Sequence, residues 1–147
     1  MGRGPTKKYY NNMNENFVQN SLTNLKPEVI KSRITTDFPL ILNIEPTNQC
    51  NARCYYCPRE TMVKEQGISF MSLDTFRKVI DQIEDNKLII MNLHKDGESL
   101  LNKDLPDMVE YALIKDAAET IHLNTNGTPL NGKIGRGIIE RGIHDIT

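Results

Sequence analysis

At 147 residues the chain is long enough to bury one core of ordinary size. A hydrophobic share of 38% against 25% charged residues places it among soluble globular proteins, and a formal net charge of −1 leaves no overall field to draw in nucleic acid or an anionic membrane. No apolar run approaches the roughly 20 residues of a membrane span, and the opening MGRGPTKKYYNN lacks the apolar stretch of a secretory signal.

Gly2 followed by Thr6 satisfies the loose myristoylation pattern, which is short and common and leaves Pro5 and the neighbouring charges unexplained. The three cysteines all fall between positions 50 and 57. An odd count crowded into one loop excludes a disulfide framework and points to thiol chemistry in the cytoplasm.

Residues 1–38 are polar, rich in Asn and Lys, and weakly patterned; Phe17, Leu22, Leu25, Val29 and Ile30 line one or two short helices interrupted at Pro27. This segment reads as a partly helical leader, and 39–147 as the main domain. Pro39-Leu40-Ile41-Leu42-Asn43-Ile44 is a short, β-compatible run and predicts a buried strand. The cysteine loop follows. Ser72 then caps a helix whose Leu73, Phe76, Val79, Ile80 and Ile83 share one face.

Lys87–Leu93 predicts a second buried strand. Beyond a loop, Asp104 caps the next helix, with Pro106 in its first turn and Met108, Val109, Ala112 and Leu113 as its apolar stripe. Thr120–Leu123 predicts a third strand ending in the turn Asn126-Gly127. NGKIGRGIIERGI stands where a further helix belongs, weakened by glycines at 132, 135, 137 and 142 at up to about 1 kcal/mol each. Asp145-Ile146-Thr147 opens a fourth strand. The alternation predicts an α/β fold with a parallel sheet and right-handed crossovers, whose ligands gather at the carboxyl ends of the strands. GKIGRG is no phosphate loop, because no strand precedes it directly and the Walker pattern is absent.

Three loops leave those carboxyl ends. The first, EPTNQCNARCYYCPRE, spaces Cys50, Cys54 and Cys57 as C-x3-C-x2-C. Thiolate ligates both iron–sulfur clusters and structural zinc. A structural zinc site wants four ligands, which His94, His122 or His144 would have to complete. A [4Fe–4S] cube held by three cysteines keeps one iron open to a small molecule. His94 and His122 read as structural rather than catalytic, since nothing places a base beside either.

The first loop resembles the radical S-adenosylmethionine (SAM) motif C-x3-C-x-aromatic-C, with Tyr56 in the aromatic position. The resemblance implies that Cys50, Cys54 and Cys57 each ligate one iron of a [4Fe–4S] cluster, that the fourth iron is chelated by SAM, and that Tyr56 lies near the adenine. It further implies reductive cleavage of SAM to a 5′-deoxyadenosyl radical, fed by an external one-electron reductant and directed at an unidentified substrate. LHKDGESLLN resembles the family's Gly-Gly-Glu segment, Gly97 allowing close backbone approach and Glu98 meeting the methionine ammonium. Asp96 stands where that segment usually has Gly, and Ser99 where Pro is frequent. HLNTNGTPL resembles the third-strand segment, where Asn124, Thr125 and Asn126 offer hydrogen bonds to the methionine carboxylate or ribose. Alone, each of these two loops is a turn.

The resemblance runs from Ile41 to Thr147, about the first half of the family's six-stranded core. It implies an incomplete (β/α) partial TIM-type barrel of the first three to four strands, a fragment of a longer enzyme not expected to act alone. The competing expectations are a non-catalytic zinc- or iron–sulfur-binding module and an inactive truncated fragment.

Overall fold

Four short strands, β1 (Ile41–Asn43), β2 (Leu88–Asn92), β3 (Ala118–Leu123) and β4 (Asp145–Ile146), pair in parallel in chain order. This computed structural model describes Pro27, Glu28 and Lys31 and residues 38–83 and 86–147. The expected leader helices around Phe17–Leu25 and the Gly2 acylation pattern lie outside the described residues. The chain falls into two units, Met1–Pro39 and Leu40–Thr147. In the first, Pro27, Glu28 and Lys31 are helical; the second is the β/α unit.

Between β1 and β2 run helices α1 (Arg59–Gln66) and α2 (Leu73–Ile80). A single 3-10 turn, Ser99–Leu101, and α3 (Leu105–Ile114) join β2 to β3, and α4 (Lys133–Glu140) joins β3 to β4. A parallel sheet whose strands follow chain order, with right-handed crossovers, carries its helices on one face. Packing of α2 on α3 and of α3 on α4 agrees with that. The arrangement is the α/β, partial-barrel architecture expected.

Local chemistry explains most boundaries. The Ser72 hydroxyl accepts from Thr75 N at 3.1 Å and starts α2, which buries Phe76 and Ile80. Ile83, expected on that helix, instead lies just past its end and is still only 5% exposed. At α3 the expected Asp104 side-chain cap does not form; Asn102 Oδ1 accepts from Asp104 N at 2.9 Å instead. The first strand is shorter than the run Pro39–Ile44 and, against expectation, is not buried: it lies at the sheet edge with Ile41 and Asn43 exposed, and only Ile44 just past it is buried. The third is longer than Thr120–Leu123.

Helix α1 had no counterpart among the expected elements. Its sequence RETMVKEQ carries no apolar stripe and buries no side chain, so nothing periodic announces it. It consists mostly of good helix formers.

The expected weakness of α4 has a second side. A methyl on Gly135 would sit 2.0 Å from the Leu130 carbonyl oxygen, and one on Gly137 would lie 3.1 Å from Pro106 Cγ. These glycines let the helix close onto its own entry turn and onto α3. Arg141 then ties the two helices, donating to Glu110 Oε2 at 3.1 Å and Asp107 Oδ1 at 2.8 Å.

Candidate cofactor site at the carboxyl ends of the strands

The sheet polarises at one level. Register pairs Asn43 with Asn92, Asn92 with His122, and His122 with Asp145. Asn92 Nδ2 donates to Asn43 Oδ1 at 2.6 Å, and Asn92 Oδ1 faces His122 Nδ1 at 3.0 Å. His122 Nε2 faces Thr147 Oγ1 at 3.4 Å and Asp145 Oδ2 at 3.6 Å. Side chains alternate along each strand, so Met91, Leu93, Ile121 and Leu123 point to the other, helix-covered face, where all are buried. A row of polar side chains therefore crosses all four strands where the loops depart, hydrogen-bonded from Asn43 through Asn92 to His122 and reaching Asp145 as a 3.6 Å contact.

His94, one loop step beyond β2, stacks edge-on against His122 with ring centroids 5.1 Å apart. Its Nδ1 accepts from Asn124 N at 3.1 Å, and its Nε2 edge meets the Asn124 side-chain amide at 3.0 Å. Burial, and secondarily the neighbouring His122, lower its pKa below the ordinary imidazole value. His144 Nδ1 accepts from Ile121 N at 2.9 Å, and its pKa is also lowered, by burial first and then by Lys87, with Asp116 opposing. These contacts tie the rings to the backbone and to neighbouring side chains. The expectation that no base stands beside either ring does not hold for His122, whose Nε2 lies 3.6 Å from Asp145 Oδ2.

The cysteine loop is held from below by residues the sequence reading passed over. Thr47 Oγ1 donates to Ser69 O at 2.7 Å, Asn48 Nδ2 donates to Gly67 O at 2.8 Å, and Asn48 Oδ1 accepts from Ser69 N at 2.8 Å. Arg59 Nε donates to Asn48 O at 3.0 Å, and Asn102 Nδ2 donates to Pro46 O at 2.8 Å and Met71 O at 2.9 Å. Short polar side chains in a strand-to-loop segment are the available signal, because they satisfy buried backbone groups there.

Above this base, Cys50 is half-buried while Cys54 and Cys57 are exposed. Cys57 N donates to Cys54 O at 3.1 Å, which folds the last two cysteines into one turn. Tyr56 projects into solvent, 93% exposed, with its ring edge-on to Tyr55.

The other two loops lean on this one. Gly97 lies against the Thr47 carbonyl, where a methyl would come within 1.9 Å of the oxygen. Glu98 N donates to Gln49 O at 2.7 Å, and Asp96 N donates to Glu45 Oε1 at 2.9 Å. The Glu98 side chain turns inward and is only 2% exposed. Its Oε1 accepts from Leu100 N at 3.1 Å and Thr125 Oγ1 at 2.9 Å, and its Oε2 from Asn126 N at 2.8 Å. Asn126 Nδ2 reaches Asn51 Oδ1 at 2.8 Å and Cys50 Sγ at 3.8 Å. Cys50, Gly97, Glu98, Thr125 and Asn126 thus form one contiguous cluster. Asn124 faces His94 beside it. Tyr56 stands apart from it in solvent.

Comparison with known proteins adds three findings. The Radical SAM superfamily pattern matches residues 44–144, more than half of the chain. GTP 3′,8-cyclase of Staphylococcus epidermidis strain RP62A is 33% identical over 113 residues, covering 71% of this chain and 32% of that enzyme. GTP 3′,8-cyclase of Desulforamulus reducens is 32% identical over 87 residues, covering 58% and 26%. The chain therefore spans about a third or less of the length of these relatives. Among solved structures, BtrN in complex with AdoMet and 2-DOIA superposes with a TM-score of 0.66 at 24% identity, covering 76% of this chain and 46% of that one, a likeness of fold.

Proposed function

The chain belongs to the Radical SAM superfamily, and on that premise we propose that Cys50, Cys54 and Cys57 hold a [4Fe–4S] cluster whose open iron takes S-adenosylmethionine. The observation that carries this reading is the cysteine loop itself. Cys54 and Cys57 are exposed and Cys50 half-buried in one loop at the carboxyl edge of the sheet, walled by the loops after β2 and β3.

The donor set suits such a cluster. Thiolates bound to a cube sit on separate irons and need not converge on one point. A closed zinc site needs a fourth ligand converging on the same ion. His94, His122 and His144 are engaged elsewhere. When bound, the two cofactors supply one-electron cleavage of the sulfonium, giving methionine and a 5′-deoxyadenosyl radical that takes hydrogen from a substrate.

The protein's own part is holding and orienting. Gly97 lets the second loop lie flat on the first, so that backbone rather than side chain borders the cofactor. Glu98 braces that wall through its inward contacts with Leu100, Thr125 and Asn126. Thr125 and Asn126 tie the loop after β3 to Glu98, Asn124 adds an exposed polar group beside them, and Tyr56, exposed at the rim of the cysteine loop, is the ring available to an adenine. The reading also includes an external one-electron reductant, a small-molecule substrate and a cytoplasmic setting. Among the described residues no helix is long and apolar enough to cross a membrane.

Anaerobic reconstitution of the full chain with iron and sulfide tests this. The expected product is brown, carries iron and inorganic sulfide in equal amounts, and is lost in Cys54→Ala. Protein carrying zinc and no inorganic sulfide overturns the reading. Release of 5′-deoxyadenosine from added SAM under dithionite tests whether this length of chain cleaves the cofactor.

A further inference from the structure

The three cysteines are not equivalent in their surroundings. Cys50 Sγ accepts from Ala52 N at 3.4 Å and from Asn126 Nδ2 at 3.8 Å. Among the described residues, the sulfurs of Cys54 and Cys57 receive no such donor. One of the two donors comes from a residue 76 positions away in sequence, on the loop after β3.

Asn126 is held so that it can do little else. Its backbone N–H goes to Glu98 Oε2 at 2.8 Å. Its Oδ1 accepts from Thr128 N at 3.0 Å, which fixes the flip of the amide. The NH2 group must then face the cysteine loop, where one hydrogen meets Asn51 Oδ1 at 2.8 Å and the other the sulfur. Glu98, buried and bonded to Leu100 N, Thr125 Oγ1 and Asn126 N, carries this assembly.

We propose that Asn126, oriented by Glu98, is a hydrogen-bond donor to the Cys50 thiolate that raises the reduction potential of the bound cluster. This rests on the cluster reading above. Glu98 acts here as a positioning residue. The physics is simple: an added electron makes the cluster and its thiolates more negative, and an N–H aimed at a ligand sulfur stabilises that charge more in the reduced than in the oxidised state. Asn126 is thereby tied to the protein's own ligand rather than to SAM.

The test is a reductive titration with dithionite, followed by electron paramagnetic resonance, on the reconstituted 147-residue chain without SAM. Wild type is compared with Asn126→Leu, which fills the same space without the donor, and with Asn126→Ser, which keeps the backbone bond to Glu98 but is too short to reach the sulfur. Iron and sulfide are counted first for every sample. The inference expects both variants to load normally and to titrate at more negative potential. At the wild-type midpoint they should show about threefold or more less reduced cluster relative to oxidised, the scale of one net hydrogen bond.

Loaded variants with the wild-type midpoint overturn the inference and leave the cluster reading standing. A wild-type chain that takes up no iron and sulfide overturns the reading itself. Should Asn126→Leu fail to load, Asn126→Ser decides by the same criterion. A midpoint that differs from wild type only once SAM is added also overturns the inference, because it places Asn126 on the cofactor instead of the sulfur.

Discussion

Gly97 and Thr47 touch backbone to backbone: a Cβ on Gly97 would stand 1.9 Å from the Thr47 carbonyl oxygen. The same approach seats the Glu98 N–H on Gln49 O at 2.7 Å. A carbonyl in the strand-to-loop segment cannot move aside as a flexible side chain can. Gly97→Ala should therefore destabilise the chain by about 3 kcal/mol, the upper end for overpacking. It should also lower cluster loading. Urea unfolding of the full chain checks the first expectation, and an unchanged midpoint would refute it.

Gly135→Ala sets two effects against each other. Helix propensity favours Ala by about 1 kcal/mol. The new methyl would lie 2.0 Å from Leu130 O, and backbone displacement costs about 1–3 kcal/mol. The clash wins, so the variant should melt at lower temperature than wild type. A higher melting temperature would mean that the turn before α4 yields freely.

Ser99 offers the opposite sign. Its hydroxyl is fully buried, and in the described structure it has no hydrogen-bond partner. Burying an unpaired hydroxyl costs roughly 1–3 kcal/mol. Ser99→Ala removes that cost and leaves a cavity smaller than a methyl group, so it should stabilise by about 1 kcal/mol. Thermal melts at fixed pH read this directly, and a loss of stability would show that the hydroxyl has a partner in solution.

Acid should weaken the fold through two histidines. His94 and His144 both have folded pKa values depressed below the ordinary 6.5, burial being the largest cause in each. As pH falls, the unfolded chain therefore takes up these protons first. Their stabilising contribution is complete above about 6.5 and is lost as pH falls toward the folded pKa values. Protonating His144 Nδ1 also breaks its bond from Ile121 N. Melting temperature should drop between pH 7 and pH 5, and His144→Gln should show a shallower drop from a lower starting point. A flat profile in wild type would exclude this mechanism.

Much of the scaffold was legible from local pattern. The apolar run around Ile41–Ile44, the Ser72 cap, Pro106 in the first turn of α3 and the Asn126-Gly127 turn each depend on neighbours a few residues away. The spacing of Cys50, Cys54 and Cys57 works in the same way, because the chemistry of a ligand loop is written in its own residues. Helix α1 escaped since it buries nothing and so leaves no periodic trace.

The inward role of Glu98 could not be read in this way. In sequence it is a glutamate after a glycine in a turn; in space it is a buried brace receiving Thr125 and Asn126 from another loop. The Asn43-Asn92-His122-Asp145 row exists only once parallel register brings four strands level. Gly135 and Gly137 likewise change meaning when Leu130 and Pro106 are placed beside them. Local propensity and ligand type act over a few bonds of chain, and sequence states them directly. Hydrogen bonds and close approaches between loops depend on crossover geometry, which is settled only when the sheet has formed.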